Sequence, residues 1–218
     1  MKIQFILIIA LVLNSISCVE STKDLPSSDL TKIEIYLPKK RIPTSIGSSI
    51  PEKDRDKVLA VSRVDSSKLL FVRMDTLNNR LIFAGPFISS ESDLPEKPFV
   101  SDEEIIGYNF ETNTLRLTKE GALKLYNLEP NFRLSTQFIL TSDRQPILNG
   151  YFFNVLSSSW VDTYFIEYIH QVESVDLKKI ETDFNLRYNS SDEYEFNVSS
   201  PNMKADSLFY NVFRHRSY

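Results

Sequence analysis

The sequence predicts an α+β protein: a mainly antiparallel sheet of roughly five to seven strands with two short helices on one face, preceded by a signal peptide and a flexible tether. Three observations predict this class. Alternating β-branched and aromatic residues recur between turn-forming residues, a Ser and a Thr stand where helices should start, and the chain opens with an apolar segment. At 218 residues, with 42% hydrophobic and 25% charged positions, the composition is that of a globular protein.

The first residues of the chain have the three parts of a signal peptide. Lys2 supplies a positive charge, Ile3 to Leu13 is an almost uninterrupted apolar segment, and the small residues Ser15 and Ser17 precede Cys18. The apolar segment is shorter than the roughly 20 residues that a transmembrane helix needs. The segment therefore predicts export rather than a membrane-spanning anchor.

The N-terminal half of the exported chain is expected to consist of strands and loops. Residues 32–37, KIEIYL, predict a strand that Pro38 ends. Residues 39–56 combine prolines, small residues and mixed charges, which predicts a long loop and a natural place for contact with a partner. The apolar runs that follow predict three short strands, at Val58–Val64, Lys68–Met74 and Arg80–Phe83.

Two helix starts come next. Ser101 precedes the acidic residues 102–104, whose charges suit the positive end of a helix dipole, so we predict a short helix there. This capping role explains the acidic residues without a metal ion. Thr114–Leu117 predicts a strand, and Thr118 is the predicted N-cap of a second helix that runs to about Leu128.

The clearest hairpin of the sequence follows the second helix. Gln137–Thr141 and Ile147–Phe153 predict its strands, which a turn at Ser142–Gln145 connects. Their apolar density predicts central positions in the sheet. Thr163–Ile169 predicts a further strand, in which alternation places Phe165 and Tyr168 on opposite faces.

The pattern is weaker beyond Ser174. We predict a helix near Leu177–Phe184, a strand near Tyr194–Val198 and a basic, aromatic tail. The elements divide the chain into four parts: a signal peptide (1–17), a tether (18–30), an α+β domain (31–174) and a C-terminal extension of unassigned structure (175–218).

Cys18, the only cysteine of the chain, stands where a lipoprotein carries its lipid. The sequence Ser15-Ile16-Ser17-Cys18 resembles a bacterial lipobox. A lone thiol exported to an oxidising compartment has no partner within the chain, and acylation would consume it. Ser15 stands where a lipobox usually has Leu, and a general signal peptidase would also accept these residues, so cleavage without lipidation is the alternative. In a eukaryotic secreted protein, Asn189 and Asn197 would start glycosylation sequons.

The stretch Ser101–Ile169 resembles a family of uncharacterised bacterial lipoproteins. In that family a segment like EEIIGYNFETNTLRLT precedes a hairpin like FILTSDRQPILNGYFF and a Ser-Ser step, and KIEIYL resembles the family's first strand. More remotely, EGALKL with FILTSDRQPILNGYF is similar to the periplasmic P1 region of the protein-export subunit SecD. These resemblances imply an α+β sheet domain and supply no catalytic residue.

Aromatic and hydroxyl side chains concentrate around the hairpin. Most of the aromatic rings are expected in the core, and those that are exposed would form a binding surface for a protein or glycan partner. Its candidate residues are Tyr151, Phe153, Ser157, Ser158 and Trp160. Ser157, Ser158 or Ser159 with Asp162 and His170 also provide the residue types of a hydrolytic triad, although the G-x-S-x-G elbow is missing.

Composition argues against several classes of ligand. A net charge of -4 gives no basic footprint for nucleic acid, and the 5 glycines are too dispersed for a phosphate-binding loop. With 2 histidines, neither a metal site nor a cofactor is expected.

The expected function is therefore that of a lipid-anchored cell-envelope protein, facing the periplasm or the cell surface, that acts as a non-catalytic binding or assembly module. An envelope serine hydrolase and a secreted, non-lipidated effector or inhibitor are the alternatives.

Overall fold

The computed structural model describes residues 31–157, 159–170, 180–190 and 197–218. They form a mixed α/β fold of mostly strands and a few short helices. The strands are β1 (Ile33–Tyr36), β2 (Ser48–Ser49), β3 (Arg73–Asp75), β4 (Arg80–Ile82), β5 (Ile105–Asn109), β6 (Thr114–Leu117), β7 (Thr136–Ser142), β8 (Gln145–Asn154), β9 (Tyr164–Tyr168), β10 (Asp183–Ser190) and β11 (Asn197–Ser199). The α-helices are α1 (Arg55–Ser62), α2 (Lys119–Tyr126) and α3 (Ser207–Phe213).

The main sheet has the strand order β1-β7-β8-β9-β10-β6-β5, with β11 paired to β10. It is a mixed sheet, because β8 and β9 run parallel while its other described pairs are antiparallel. The sheet that was expected to be mainly antiparallel therefore also contains one parallel pair. Ile35 of β1 also bridges Val100, shortly before β5, so the sheet nearly closes on itself.

The hairpin of β7 and β8 is confirmed, and both strands lie inside the sheet as predicted. Its two turn residues, Asp143 and Arg144, have φ of 47° and 65°. Positive φ at both central residues suits a hairpin because it matches the right-handed twist of the strands. Asp143 Oδ1 also accepts a hydrogen bond from Lys32 N at 3.0 Å, so the turn contacts the start of β1.

One face of the main sheet, the inner face, carries the larger core. Alternate residues of β7, Phe138 and Leu140, point to it, and α2 and α3 pack there through residues such as Leu125 and Phe209. The void enclosed among these side chains is only about 10 Å³, about the space of one water molecule. The interior of the sheet is therefore packed and offers no ligand cavity.

The opposite, outer face is covered by residues 38–98, which we call the cover segment. Ile139 and Tyr151 of the sheet pack there against Ala84, Phe87 and Leu94. The cover segment contains the three-stranded sheet β2-β3-β4 and helix α1. Helices α2 and α3 thus pack on the inner face of the main sheet, and the cover segment packs on the outer face.

Of the strands predicted in the cover segment, Val58–Val64 is wrong, and Lys68–Met74 is right only at its end, where Arg73 and Met74 belong to β3. Val58–Val64 lies mostly in α1, which ends at Arg63 with φ of 53°, and the first part of Lys68–Met74 is a 3-10 helix, Ser66–Phe71. β-branched residues favoured strands, but Val58, Val64 and Leu69 instead fill a small separate core. Arg80–Phe83 is confirmed as a strand by β4.

The helix predicted after Ser101 is a single 3-10 turn, Asp102–Glu104, and the chain continues directly into β5. The predicted cap is nevertheless present, since Ser101 and Glu104 form a reciprocal capping box. The second helix is confirmed as α2, in which Thr118 Oγ1 accepts a hydrogen bond from Gly121 N at 3.2 Å.

The described parts of residues 175–218 belong to the same compact unit as residues 31–174. β10 lies between β9 and β6 and so joins β6 and β5 to the rest of the main sheet. The predicted helix near Leu177–Phe184 is wrong at its end, where Phe184 is a strand residue, and residues 177–179 lie outside the described ranges.

The C-terminal residues are fixed to β5 and β6. Ser217 bridges Tyr108, Arg216 forms an ion pair with Asp102 at 2.8 Å, and the Tyr218 ring lies 3.9 Å from the Arg116 guanidinium carbon. The contact with β5 is close because residue 107 is a glycine: a Cβ at Gly107 would overlap the carbonyl oxygen of Arg216.

We predict that Gly107→Ala destabilises the full chain by about 1–3 kcal/mol, because the methyl group forces the C-terminal residues away from β5. In a chain that ends at residue 213, the same substitution should cost less than about 0.5 kcal/mol, because its clash partner is gone. Urea unfolding of all four proteins measures both values. An equal cost in the two backgrounds would contradict the close contact.

Candidate binding pocket

The residues proposed from sequence as a binding surface do not share one surface. Tyr151 is only 1% exposed, and its hydroxyl donates to Gly85 O at 2.8 Å. Phe153 is partly buried and packs edge-on against Phe165. For these two residues the prediction is corrected: their position in β8 points them into the core under the cover segment. Trp160 is 49% exposed, and Ser158 lies outside the described ranges.

The described serines of the predicted hydrolytic triad have structural contacts. Ser157 Oγ and Ser159 Oγ both donate to Phe132 O, at 2.6 and 2.9 Å, and so fix the loop after β8 to the loop before β7. Asp162 forms an ion pair with Arg80 at 3.2 Å. The Nδ1 atom of His170 is buried and has no hydrogen-bond partner among the described residues, so it makes no hydrogen bond to these groups.

Asn189, the first residue of one predicted sequon, is a core residue. It is 2% exposed, and its side-chain Nδ2 donates to Val161 O at 2.9 Å. Attachment of a glycan to this nitrogen would displace a buried hydrogen bond. In the folded domain the position is therefore unsuited to carry a sugar. Cys18, like the rest of residues 1–30, lies outside the described ranges.

The strongest candidate site lies where the cover segment leaves β1. Residues 38–44 run along β7, and Ile42 exchanges two hydrogen bonds with the Gln137 side chain: Ile42 N donates to Oε1, and Nε2 donates to Ile42 O, both at 2.8 Å. Gln137 is 3% exposed, so this amide pair is buried. It holds the neighbouring Arg41 side chain against the start of β7.

The Arg41 guanidinium is bound by backbone carbonyls. Nη1 donates to Ser135 O at 2.8 Å, and Nη2 donates to Leu134 O at 2.6 Å and Phe83 O at 3.1 Å. The rings of Tyr151 and Phe71 lie 5.6 and 5.8 Å from its central carbon. These contacts satisfy hydrogen-bond donors but bring no negative charge.

Arg41 has no counter-ion among the described residues, in which the ion pairs all involve other cations. Burial lowers the pKa of the guanidinium below its ordinary value. Arginine nevertheless stays protonated in proteins. The site therefore contains a largely desolvated positive charge with no carboxylate beside it.

A pocket of about 280 Å³ opens beside Arg41. One part of its wall is apolar and consists of Leu37, Pro38, Phe71 and Leu134. The other part carries Lys68 and uncharged polar side chains, of which Ser135 is the most buried at 2% exposure. Asp, Glu, His and Cys do not contribute to this lining, so the pocket offers positive charge and hydrogen bonds without a general base.

A second, larger depression of about 500 Å³ shares Lys68 and Leu134 with this pocket. It adds the cations Arg63 and Arg133, and the acids Asp65 and Glu129. Phe132, which is 46% exposed, also lines it. The two depressions form one groove, whose positive end is at Arg41.

Sequence reasoning identified the loop that contains Arg41 as a place for partner contact, but not Arg41 itself. No local pattern distinguishes this arginine from the other cations of the chain. Its burial depends on Phe83 and Leu134, which are distant in sequence.

Comparison with known proteins finds no counterpart of this site. No protein-family model, no curated protein and no solved structure matches the chain. Within the described ranges, His, Cys, Asp and Glu side chains do not gather in groups of three or more that could hold a metal ion. None of the helices in those ranges has the length and hydropathy that crossing a bilayer requires.

We predict that Gln137→Ala destabilises the fold by about 1–3 kcal/mol, because it leaves the buried N–H and C=O of Ile42 without partners. Gln145→Ala, at the exposed start of β8, is the matched control and should change stability by less than about 0.5 kcal/mol. Urea unfolding measures both, and amide exchange at Ile42 should accelerate only in the first variant. Equal stabilities of the two variants would show that the amide pair does not hold the cover segment.

Proposed function

We propose that the chain is an exported lipoprotein, anchored to a membrane of the cell envelope through acylated Cys18, and that its folded domain is a non-catalytic binding module. The observation that carries the proposed location is the position of the only cysteine directly after an export signal. Acylation of that cysteine would retain the protein at a membrane without a transmembrane helix.

The position of the groove supports a binding role. Leu37 and Pro38, the first residues of the pocket lining, follow β1 directly. A strand of this length spans about 13 Å, so the start of β1 and the pocket lie at opposite ends of one edge strand.

The described side chains favour binding over catalysis for the same domain. Ser157 and Ser159 donate to Phe132 O, and the lining of the Arg41 pocket contains no Asp, Glu, His or Cys that could act as a base. The exposed apolar side chains of Leu156 and Trp160 flank these serines and could extend the groove into a surface for a protein or glycan partner.

We predict that the protein expressed in a diderm bacterium fractionates with membranes and carries diacylglyceryl and acyl groups on Cys18. Intact mass spectrometry and incorporation of a labelled fatty acid measure this. Cys18→Ala should abolish the label and release the protein from the membrane fraction. Ser17→Ala keeps a small residue before the cysteine and should leave both unchanged.

An unmodified, soluble wild-type protein would overturn the proposed anchor and would instead favour a secreted effector or inhibitor. Label on Cys18→Ala equal to that on the wild type would show that the lipid is attached elsewhere.

A further inference from the structure

The Arg41 pocket contains a positive charge that the described protein does not neutralise. Arg41 is held by the carbonyls of Phe83, Leu134 and Ser135, and Lys68 at the pocket mouth has no ion-pair partner in the described ranges. Burying a charge is costly unless it is paired, and a structural arginine in a core is normally accompanied by a carboxylate. An anionic ligand would supply the missing charge.

Ser135 provides a second, independent indication of a ligand. The residue is 2% exposed, and its Oγ is buried without a hydrogen-bond partner among the described residues. Its backbone groups are satisfied, since its N–H donates to Asn131 O and its carbonyl accepts from Arg41. Buried hydroxyls without partners are rare in proteins. Ser135 contributes to the lining of the same pocket as Arg41, and a hydroxyl can donate to a bound oxygen.

The backbone at Ser135 keeps these two groups together at a cost. Its φ of 54° is in the left-handed region, which a non-glycine residue occupies only when the surroundings enforce it. This conformation presents the carbonyl to Arg41, and the residue also contributes to the pocket lining. Strain of this kind is often found at binding sites.

The shape and lining of the pocket indicate an organic anion of modest size. Its volume of about 280 Å³ is at the small end of the range for ligand pockets. Four apolar side chains, Leu37, Pro38, Phe71 and Leu134, form one wall and would contact a hydrocarbon or aromatic group. A carboxylate fits better than a phosphate, because most of the Arg41 donors already bind carbonyls and few remain for a ligand with more oxygens.

We infer that the pocket binds a small monocarboxylate with an apolar group, whose carboxylate is held by Arg41, Ser135 Oγ and Lys68 and whose apolar group packs on Phe71 and Leu134. The carboxylate could belong to a free organic acid or to the C-terminal residue of a peptide. The inference deepens the proposed binding function and does not depend on the lipid anchor.

Titration of the purified full-length protein with octanoate and with N-acetyl-phenylalanine tests the inference. Two-dimensional amide NMR follows the resonances of Lys68, Ser135 and Thr136, and calorimetry gives the dissociation constants. The corresponding amides, octanamide and N-acetyl-phenylalaninamide, have the same apolar groups without the charge. Inorganic phosphate is the third probe. We expect at least one carboxylate to bind and to shift these resonances, with its amide at least about tenfold weaker and phosphate without effect.

Charge reversal at the pocket mouth provides the test by mutation. Lys68→Glu changes an exposed side chain and should weaken carboxylate binding by about tenfold or more, because it replaces attraction with repulsion. Lys53→Glu makes the same change in net charge at an exposed position that does not line the pocket, and it should alter the dissociation constant by less than about twofold. Neither change removes a core contact, so both variants should fold.

The relative affinities of octanoate and N-acetyl-phenylalanine then indicate whether a free acid or a peptide terminus is the better ligand. Failure of both carboxylates to shift the pocket resonances would overturn the inference. Equal affinities of the wild-type protein for an acid and its amide would also overturn it. So would equal affinities of Lys68→Glu and the wild-type protein for the same carboxylate. A lipidated protein that fails these tests would retain the proposed anchor and lose only the proposed ligand. An unlipidated protein that binds a carboxylate would retain the proposed ligand and lose only the anchor.

Discussion

The Arg41 guanidinium joins three parts of the backbone that are far apart in sequence. It contacts the carbonyl of Phe83 in the cover segment and those of Leu134 and Ser135 before β7, while the Tyr151 ring of β8 lies beside it. A lysine could not make these contacts together, because a guanidinium donates in several fixed directions within one plane. The same side chain attaches the cover segment to the sheet and gives the pocket its charge, so stability and binding depend on one residue.

This arrangement also explains why the ligand site lies at the edge of the fold. Large aromatic side chains fill the inner face of the sheet, among them Tyr108, Phe138, Phe152 and Phe209. The void left among the packed side chains is about 10 Å³. The outer face is closed by the cover segment. The pocket proposed to bind a ligand opens where the segment departs from β1, and there the wall combines apolar side chains with Arg41 and Lys68.

Parts of the fold that depend on neighbouring residues could be predicted from sequence. The β7–β8 hairpin has its turn residues and its alternation within one stretch, and the Thr118 cap acts three residues along the chain. Interactions between distant residues could not be predicted. The β-branched residues of α1 favour a strand until their contacts with a separate core are known, and β10 pairs on one side with β6, which is distant in sequence. Arg41 belongs to this second class, because its burial is created by residues 83 and 134.

The most direct measurement of the central claim is a high-resolution crystal structure of the protein grown with a saturating monocarboxylate. The account predicts a carboxylate oxygen within hydrogen-bond distance of both the Arg41 guanidinium and Ser135 Oγ, with the apolar group of the ligand on Phe71. A pocket that contains only water at saturation, with the Ser135 hydroxyl bonded to another protein group, would contradict it.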